Sequence, residues 1–316
     1  MATAAVHYAS AVVSDRGRKR ASNEDAFGLS AEHGVYLVCD GMGGAAAGEV
    51  ASSLAAEEVL RQLSRRARPE ASSMEDAIEE AIAAANQAIY RRSLSNPRLR
   101  GMGTTLVGLV AEGRRVLVFN VGDSRCYRLR TLYPEPGNLE ANEPAPNRDE
   151  RSSPRQRRLA EIEPGPRSLE QSEPERSGFE QSRTDPILNQ NCAEPASPVP
   201  RRLEQISLDH SLVAEQVRMG RMTQAEARSS PLHNVITRAL GTESVVQVDL
   251  FTLEAERGDL FLLCSDGLTN ELTDPLIASI LAADLPLDEL CALLVDAANQ
   301  AGGRDNITCL VVRAEG

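Results

Sequence analysis

Two apolar runs in this chain end in the same way, and that shared ending constrains the fold more than any composition does. Tyr36-Leu37-Val38-Cys39 empties into Asp40-Gly41-Met42-Gly43-Gly44, and Leu260-Phe261-Leu262-Leu263-Cys264-Ser265 empties into Asp266-Gly267. Each reads as a buried strand that delivers one carboxylate beside backbone stripped of side chains. A single strand ending in Asp-Gly is ordinarily only a turn. Two strands delivering matched carboxylates from distant parts of the chain suggest a shared site for a hard cation.

The 316 residues are 41% apolar, enough for a sizeable core. With no Trp, that core must be built from Leu, Val, Ile and Ala. A formal net charge of -12 excludes a general nucleic-acid-binding surface, because phosphate backbones are gripped by clustered Lys and Arg. The six cysteines form no CxxC pair, which excludes a zinc finger and reads as reduced core thiols. No apolar run is long enough to span a bilayer, and Met1–Ser10 lacks a basic start followed by an apolar stretch. The expectation is a soluble cytoplasmic monomer with neither nucleic acid nor membrane as partner.

In chain order, Val6–Val13 reads as a first strand, and Arg18–Asp25 as a solvated loop of three cations and two acids. Ala26–Leu29 and Val35–Cys39 read as a meander. Ala46–Arg68 and a stripe from Met74 to Ile89 carry apolar residues at helical spacing, with Ser72 and Glu75 fitting a capping box. Each helix is polar on its other side, so the pair should lie on one sheet face. Gly103–Val110, Arg115–Asn120 and Arg125–Leu129 read as strands joined by tight turns into antiparallel hairpins. Asp123 sits in the second turn.

From Thr131 to about Gln205 the composition changes, taking 12 of the chain's 17 prolines and leaving almost no apolar periodicity. Residues 131–205 therefore read as a disordered insertion in a single domain spanning 1–316. Beyond it, Leu212–Met219 is predicted as a short helix capped by Asp209 or Ser211, with His210 on the surface. Met222–Ser230 reads as polar and mobile, and Val245–Leu253 as a strand. Asp274–Ala282 and Pro286–Ala301 are predicted helices. Gly302-Gly303-Arg304-Asp305-Asn306 then turns into a closing strand, Ile307–Val312.

Asp40, Asp123, Asp266 and Asp305 thus all sit where a strand meets a glycine turn. Gathered without cations they would raise one another's pKa, so a site that collects them should bind divalent metal. Oxygen-only ligands favour Mg or Mn over Zn.

Arg20-Ala21-Ser22-Asn23-Glu24-Asp25, Asp40-Gly41-Met42-Gly43-Gly44, Gly103-Thr104-Thr105, Gly122-Asp123-Ser124-Arg125, Ser265-Asp266-Gly267 and Arg304-Asp305-Asn306 form an ordered set. The set resembles the bacterial branch of the metal-dependent type 2C protein serine/threonine phosphatases. That resemblance implies an α+β fold, two antiparallel β-sheets forming a sandwich flanked by pairs of antiparallel helices. It implies Mg- or Mn-dependent hydrolysis of phosphoserine and phosphothreonine in proteins, with a Ser/Thr kinase as functional partner. By the same resemblance Asp40 bridges two ions, the Gly41 carbonyl serves one of them, and Asp266 and Asp305 complete the other. Glu24 and Asp25 act through metal-bound waters, Asp123 holds a third, weaker ion, and Arg20 grips the substrate phosphate. Ser211–Leu240 corresponds to a mobile flap.

A phosphomonoester dianion repels hydroxide. Two divalent ions offset that repulsion and generate the nucleophile near neutral pH, which implies direct in-line hydrolysis. Two departures stand out. Met42 replaces the His of eukaryotic relatives, leaving protonation of the leaving oxygen to a metal-bound water or to His210. Asn270 stands where some relatives carry an acid. A catalytically silent phosphoprotein-binding scaffold is the alternative, although such a relative should have lost metal acids that are present here. A nucleotide-binding module is disfavoured because no Gly-Lys-Ser/Thr follows the glycines.

Overall fold

The computed structural model describes residues 6–65, 73–132 and 200–316. The first half runs β1 (His7–Asp15), β2 (Asp25–Ser30), β3 (Val35–Met42), α1 (Ala45–Leu63), α2 (Met74–Ser95), β4 (Gly103–Thr104), β5 (Leu106–Glu112), β6 (Arg115–Val121) and β7 (Arg125–Thr131). The second half runs β8 (Arg201–Gln205), α3 (Leu212–Arg218), α4 (Gln224–Ser229), β9 (Asp249–Glu254), β10 (Leu260–Cys264), α5 (Asp266–Thr269), α6 (Asp274–Leu281), α7 (Leu287–Ala301) and β11 (Ile307–Glu315).

Two antiparallel sheets result. One is ordered β1-β11-β10-β7-β8, and the other β2-β3-β5-β6-β9 with β4 appended to β3. Strand periodicity assigns the layers, because successive side chains point to opposite faces. On β3, Val35, Leu37 and Cys39 pack against α1 and α2, while Tyr36 and Val38 face the other sheet. On β10, Leu262 and Cys264 pack on the α5–α7 side, and Phe261 and Leu263 turn inward to the sheet interface. Burial on both faces explains why these two strands are continuous apolar runs. Each Leu, Val or Phe so buried contributes about 1.5–3 kcal/mol. The helices on either side and the alternation within the strands together give the expected α+β sandwich.

Several details differ from the sequence reading. The capping box of α2 forms one residue later, Ser73 with Asp76, and Ser72 lies outside the described residues. Glu75 instead faces across to an ion pair with Arg115. The expected hairpin between β6 and β7 does not form: β6 pairs with β5 and β9, whereas β7 pairs with β10 and β8. A three-residue link fits a hairpin, but it also suffices for a chain stepping between stacked sheets, and apolar alternation does not name the partner strand. Met222–Ser230 contains α4, closed by a capping box between Thr223 and Glu226.

The expected insertion, 131–205, lies mostly outside the described residues, but its last part is a strand. Arg201–Gln205 pairs with β7 from Thr131↔Arg201 to Tyr127↔Gln205. With only Leu203 apolar, this half-exposed edge strand carries no hydrophobic signal; backbone pairing and the 2.8 Å Arg128–Glu204 ion pair hold it.

Candidate active site

The acids meet at one end of the sandwich. Asp25 opens β2 and is the register partner of Asp40 near the end of β3. Cross-strand partners share a face, so these two like charges lie directly opposite, which costs stability unless something compensates. Asp25 Oδ2 accepts hydrogen bonds of 2.7 Å from the Ser265 and Thr308 hydroxyls. Those two residues belong to the other sheet's end, so Asp25 ties the sheets together. Asp40 is held by its backbone: its N–H donates to Thr105 Oγ1 at 2.9 Å, and its carbonyl accepts from Thr105 N at 2.8 Å and Thr104 Oγ1 at 2.9 Å.

Asp266 starts α5 immediately after β10, and Asp305 sits in the turn before β11, the neighbouring strand. That turn packs so closely that a Cβ on Gly267 would stand 2.0 Å from the Asn306 carbonyl oxygen. Gly41 is similarly confined, with the Gly48 carbonyl oxygen 2.2 Å from where its Cβ would be, which lets α1 approach β3. Asp123 occupies the step between the sheets and is buried, as is Glu24.

Burial is the first cause of raised carboxylate pKa values here, and mutual repulsion is the second. Asp25 is pushed up to about 7, by burial and then by Asp266 and Asp305. Asp40 is held well above the ordinary carboxylate range by burial and by Asp25, Asp266, Asp123 and Asp305. Asp123 and Asp266 are raised by burial and by neighbouring acids, Asp266 acting on Asp123 and Asp305 on Asp266. Glu24 is raised as well, by burial.

Asp25 Oδ1, Asp123 Oδ1 and Asp266 Oδ1 are buried without any hydrogen-bond partner. An orphaned carboxylate oxygen is costly, and three of them among mutually repelling acids form a donor set suited to hard cations. Among the described residues, no group of three or more His, Cys, Asp or Glu side chains could hold an ion as it stands. Two oxygens are instead occupied by protein donors: Arg20 Nη2 bonds Asp305 Oδ2 at 2.7 Å, and Asn270 Nδ2 bonds Asp266 Oδ2 at 3.0 Å.

The supporting residues carried no distinct sequence signal beyond membership of the motifs. Asn306 is the clearest: its Oδ1 accepts the Glu24 N–H at 2.9 Å, and its Nδ2 donates to the carbonyls of Arg16 and Ser22 at 2.9 Å. It clamps the whole 16–24 loop against the Asp305 turn. His210, expected on the surface, is buried. Its Nδ1 accepts the Gly122 N–H at 3.0 Å, which puts the ring proton on Nε2, 3.0 Å from Asp249 Oδ2. Burial lowers its pKa and keeps it neutral. His210 thus braces the turn that carries Asp123, helped by Arg125, whose guanidinium grips Asp209 through Nε at 3.0 Å and Nη2 at 2.6 Å. Ser211 caps α3; the His210 N–H just before it donates to the Gly122 carbonyl at 2.9 Å, and Leu240 and Thr104 exchange backbone hydrogen bonds of 2.9 and 3.1 Å, so the 211–240 segment is tied at both ends to the site's own elements.

Known proteins share this fold. The family model for protein phosphatase 2C matches residues 15–132. The chain is 31% identical over 309 residues to the serine/threonine phosphatase stp of Listeria monocytogenes, covering 95% of this chain and 94% of that protein. It is 31% identical over 300 residues to the serine/threonine protein phosphatase PstP of Mycobacterium tuberculosis, covering 94% of this chain and 43% of that protein. The crystal structure of PstP/Ppp from that organism matches with a TM-score of 0.69 at 29% identity, covering 99% of this chain and 100% of that one. A PstP catalytic domain in complex with two manganese ions also matches with a TM-score of 0.69, at 28% identity, over 98% of this chain and 100% of that one. The chain belongs to the protein phosphatase 2C family of serine/threonine phosphatases. Among the described residues, no helix is long and apolar enough to cross a membrane.

Proposed function

We propose that this chain removes phosphate from phosphoserine and phosphothreonine in proteins by direct hydrolysis that depends on two Mg or Mn ions, in the cytoplasm and as a monomer, reversing a Ser/Thr kinase. The observation that carries the reading is the set of orphaned oxygens on Asp25, Asp123 and Asp266 beside Asp40 and Asp305. Asp40, the Gly41 carbonyl, Asp266 and Asp305 would hold the two ions, with Glu24 and Asp25 in the surrounding shell and Asp123 serving a third. Such ions supply positive charge for the phosphoryl oxygens and lower the pKa of water.

The chain's own residues do the rest. Arg20 is half exposed, and among the described residues its one ion pair is with Asp305; with that carboxylate engaged by an ion, the guanidinium would be available to the substrate phosphate. No side chain beside the acids is activated as a nucleophile. The Cys264 thiol is pushed up to about 12 by burial, and the Cys39 thiol is raised further. The Ser265 hydroxyl is fully buried, held between Asp25 Oδ2 and the Thr308 N–H, out of a substrate's reach. Water is therefore the attacking group, and no covalent enzyme intermediate is formed. His210 does not protonate the leaving oxygen, because both ring nitrogens are engaged in the fold. Asn270 donates to Asp266 where an acid would repel it, which restrains that carboxylate but offers one ligand fewer.

The described residues form one catalytic domain in this reading, interrupted between Leu132 and Pro200. The interruption leaves the domain where the Leu132 N–H bonds the Pro200 carbonyl at 2.8 Å.

The test is hydrolysis of p-nitrophenyl phosphate and of a phosphothreonine peptide with Mn, with chelator, and by Asp40→Ala. Turnover should require Mn and fall at least a thousandfold in the variant. Chelator-insensitive turnover, or full activity in Asp40→Ala, overturns the proposal; specific phosphopeptide binding without turnover would make the chain a silent scaffold.

A further inference from the structure

The turn beside the site carries charge opposite in sign to that of the chain as a whole. In a chain of net charge -12, Arg16, Arg18, Lys19 and Arg20 follow one another in the turn between β1 and β2, all exposed, with Arg304 exposed in the facing turn. The two turns are locked together. The Arg18 N–H donates to the Gly303 carbonyl at 2.7 Å, and Arg18 Nε donates to the Asn299 carbonyl at 2.8 Å. Gly17 has φ 74° and lies so close that a Cβ there would stand 2.0 Å from the Asp305 carbonyl oxygen. Asn306 and Asp15 complete the clamp, the latter accepting the Gly17 N–H at 2.8 Å.

The acids neighbouring the two turns are Asp15, Asp305 and Glu271, and Glu24 and Asp40 act on Arg20 from the site behind it. Asp305 pairs with Arg20, and Glu271 takes Arg304 at 2.9 Å. Among the described residues, Arg16, Arg18 and Lys19 form no ion pair. A rigid rim of unneutralised cations therefore borders a pocket of carboxylates, where long-range repulsion would otherwise turn acidic substrates away. Fixing the backbone removes much of the ordering cost that flexible surface charges incur on binding.

We propose that this rim selects the substrate, docking Asp, Glu or further phosphoresidues that flank the phosphoserine or phosphothreonine. The inference rests on the phosphatase reading above. Arg20 and Arg16 are four peptide units apart, so the rim reaches at most about 15 Å from the phosphate-binding residue. That span corresponds to substrate positions within roughly four residues of the phosphorylated one, since an extended peptide advances about 3.3–3.6 Å per residue. The rim is short and one-sided, which suits a peptide segment better than the long phosphate track of a nucleic acid.

The experiment uses the full chain with saturating Mn and three phosphothreonine peptides, flanked by acidic, neutral or basic residues, with p-nitrophenyl phosphate as the substrate that has no flanks. The acidic peptide should exceed the basic one about tenfold in kcat/KM at low salt, mostly through KM, and the ratio should shrink as NaCl rises. Arg16→Gln/Lys19→Gln should bring the ratio down at least threefold while leaving p-nitrophenyl phosphate hydrolysis unchanged. Equal kcat/KM for the three peptides, or a ratio unaffected by the double variant, overturns the proposal. So does stronger competition from a single-stranded oligonucleotide than from an unphosphorylated acidic peptide of equal charge, which would assign the rim to nucleic acid. Failure to hydrolyse p-nitrophenyl phosphate at all would instead sink the underlying phosphatase reading.

Discussion

Replacing Asp25 with Asn should stabilise the metal-free protein, and more so at high pH. In the fold, Asp25 has a pKa of about 7, raised chiefly by burial, against about 3.9 in an unfolded chain. A raised native pKa means that the folded state binds the proton more tightly. The associated stability is fully present below about pH 3.9 and is lost as pH rises to about 7. Three pKa units correspond to about 4 kcal/mol in total, of which on the order of 2 kcal/mol falls between pH 5 and pH 8. The substituted amide would keep an oxygen to accept from Ser265 and Thr308, so the two 2.7 Å hydrogen bonds that join the sheets survive. In chelator, then, the gain of Asp25→Asn over wild type should be larger at pH 8 than at pH 5 by on the order of 2 kcal/mol, or roughly 4–8 °C in Tm for a domain of this size. Asp40, Asp123 and Asp266 are raised in the same direction, so wild type itself should lose stability over that interval. Saturating Mn should flatten its slope, because a cation then does what the proton did. Thermal melts with chelator and with Mn at both pH values decide the matter. A wild type as stable at pH 8 as at pH 5 in chelator, or a variant with no pH-dependent gain, would refute the reasoning.

Three further outcomes follow from named contacts. Gly267→Ala places a Cβ 2.0 Å from the Asn306 carbonyl oxygen, forcing Asp266 and Asp305 apart; a loss of about 2–3 kcal/mol in urea unfolding and at least tenfold in p-nitrophenyl phosphate turnover is expected, and wild-type values for both would contradict the packing. His210→Leu strips the Gly122 N–H of its acceptor and should cost about 1–3 kcal/mol, with p-nitrophenyl phosphate and phosphothreonine peptide hydrolysis falling in parallel. A loss confined to the peptide, the poorer leaving group, would mean that His210 is a general acid after all. Joining Tyr133 to Val199 with a short glycine linker, in place of 134–198, should leave Tm and peptide hydrolysis nearly unchanged, since β7 and β8 already pair up to Thr131↔Arg201; a cooperative loss of structure would show that the segment belongs to the fold.

The parts of this protein legible in the sequence are those written in local pattern. The apolar runs at Val35–Cys39 and Leu260–Cys264 are strands covered on both faces. The stripe from Met74 to Ile89 is a helix buried on one side, and the glycines beside Asp40 and Asp266 mark places where backbone passes close to backbone. Less legible was anything that depended on which element lies beside which. The 201–205 strand has one apolar residue, yet its backbone finds a partner in β7. His210 looked like a surface residue because one polar side chain carries no record of the buried Gly122 N–H that it satisfies.

The sequence alone determined that four acids would be presented at strand ends in glycine turns, since strand period and glycine's freedom are properties of a few neighbouring residues. Only the tertiary structure decided that they share one place. The chain steps between sheets at Asp123 instead of closing a hairpin, and hydroxyls of Ser265 and Thr308 reach across to Asp25. Strand pairing and sheet stacking join residues hundreds of positions apart, and the repulsion that singles out this site exists only once they have been joined.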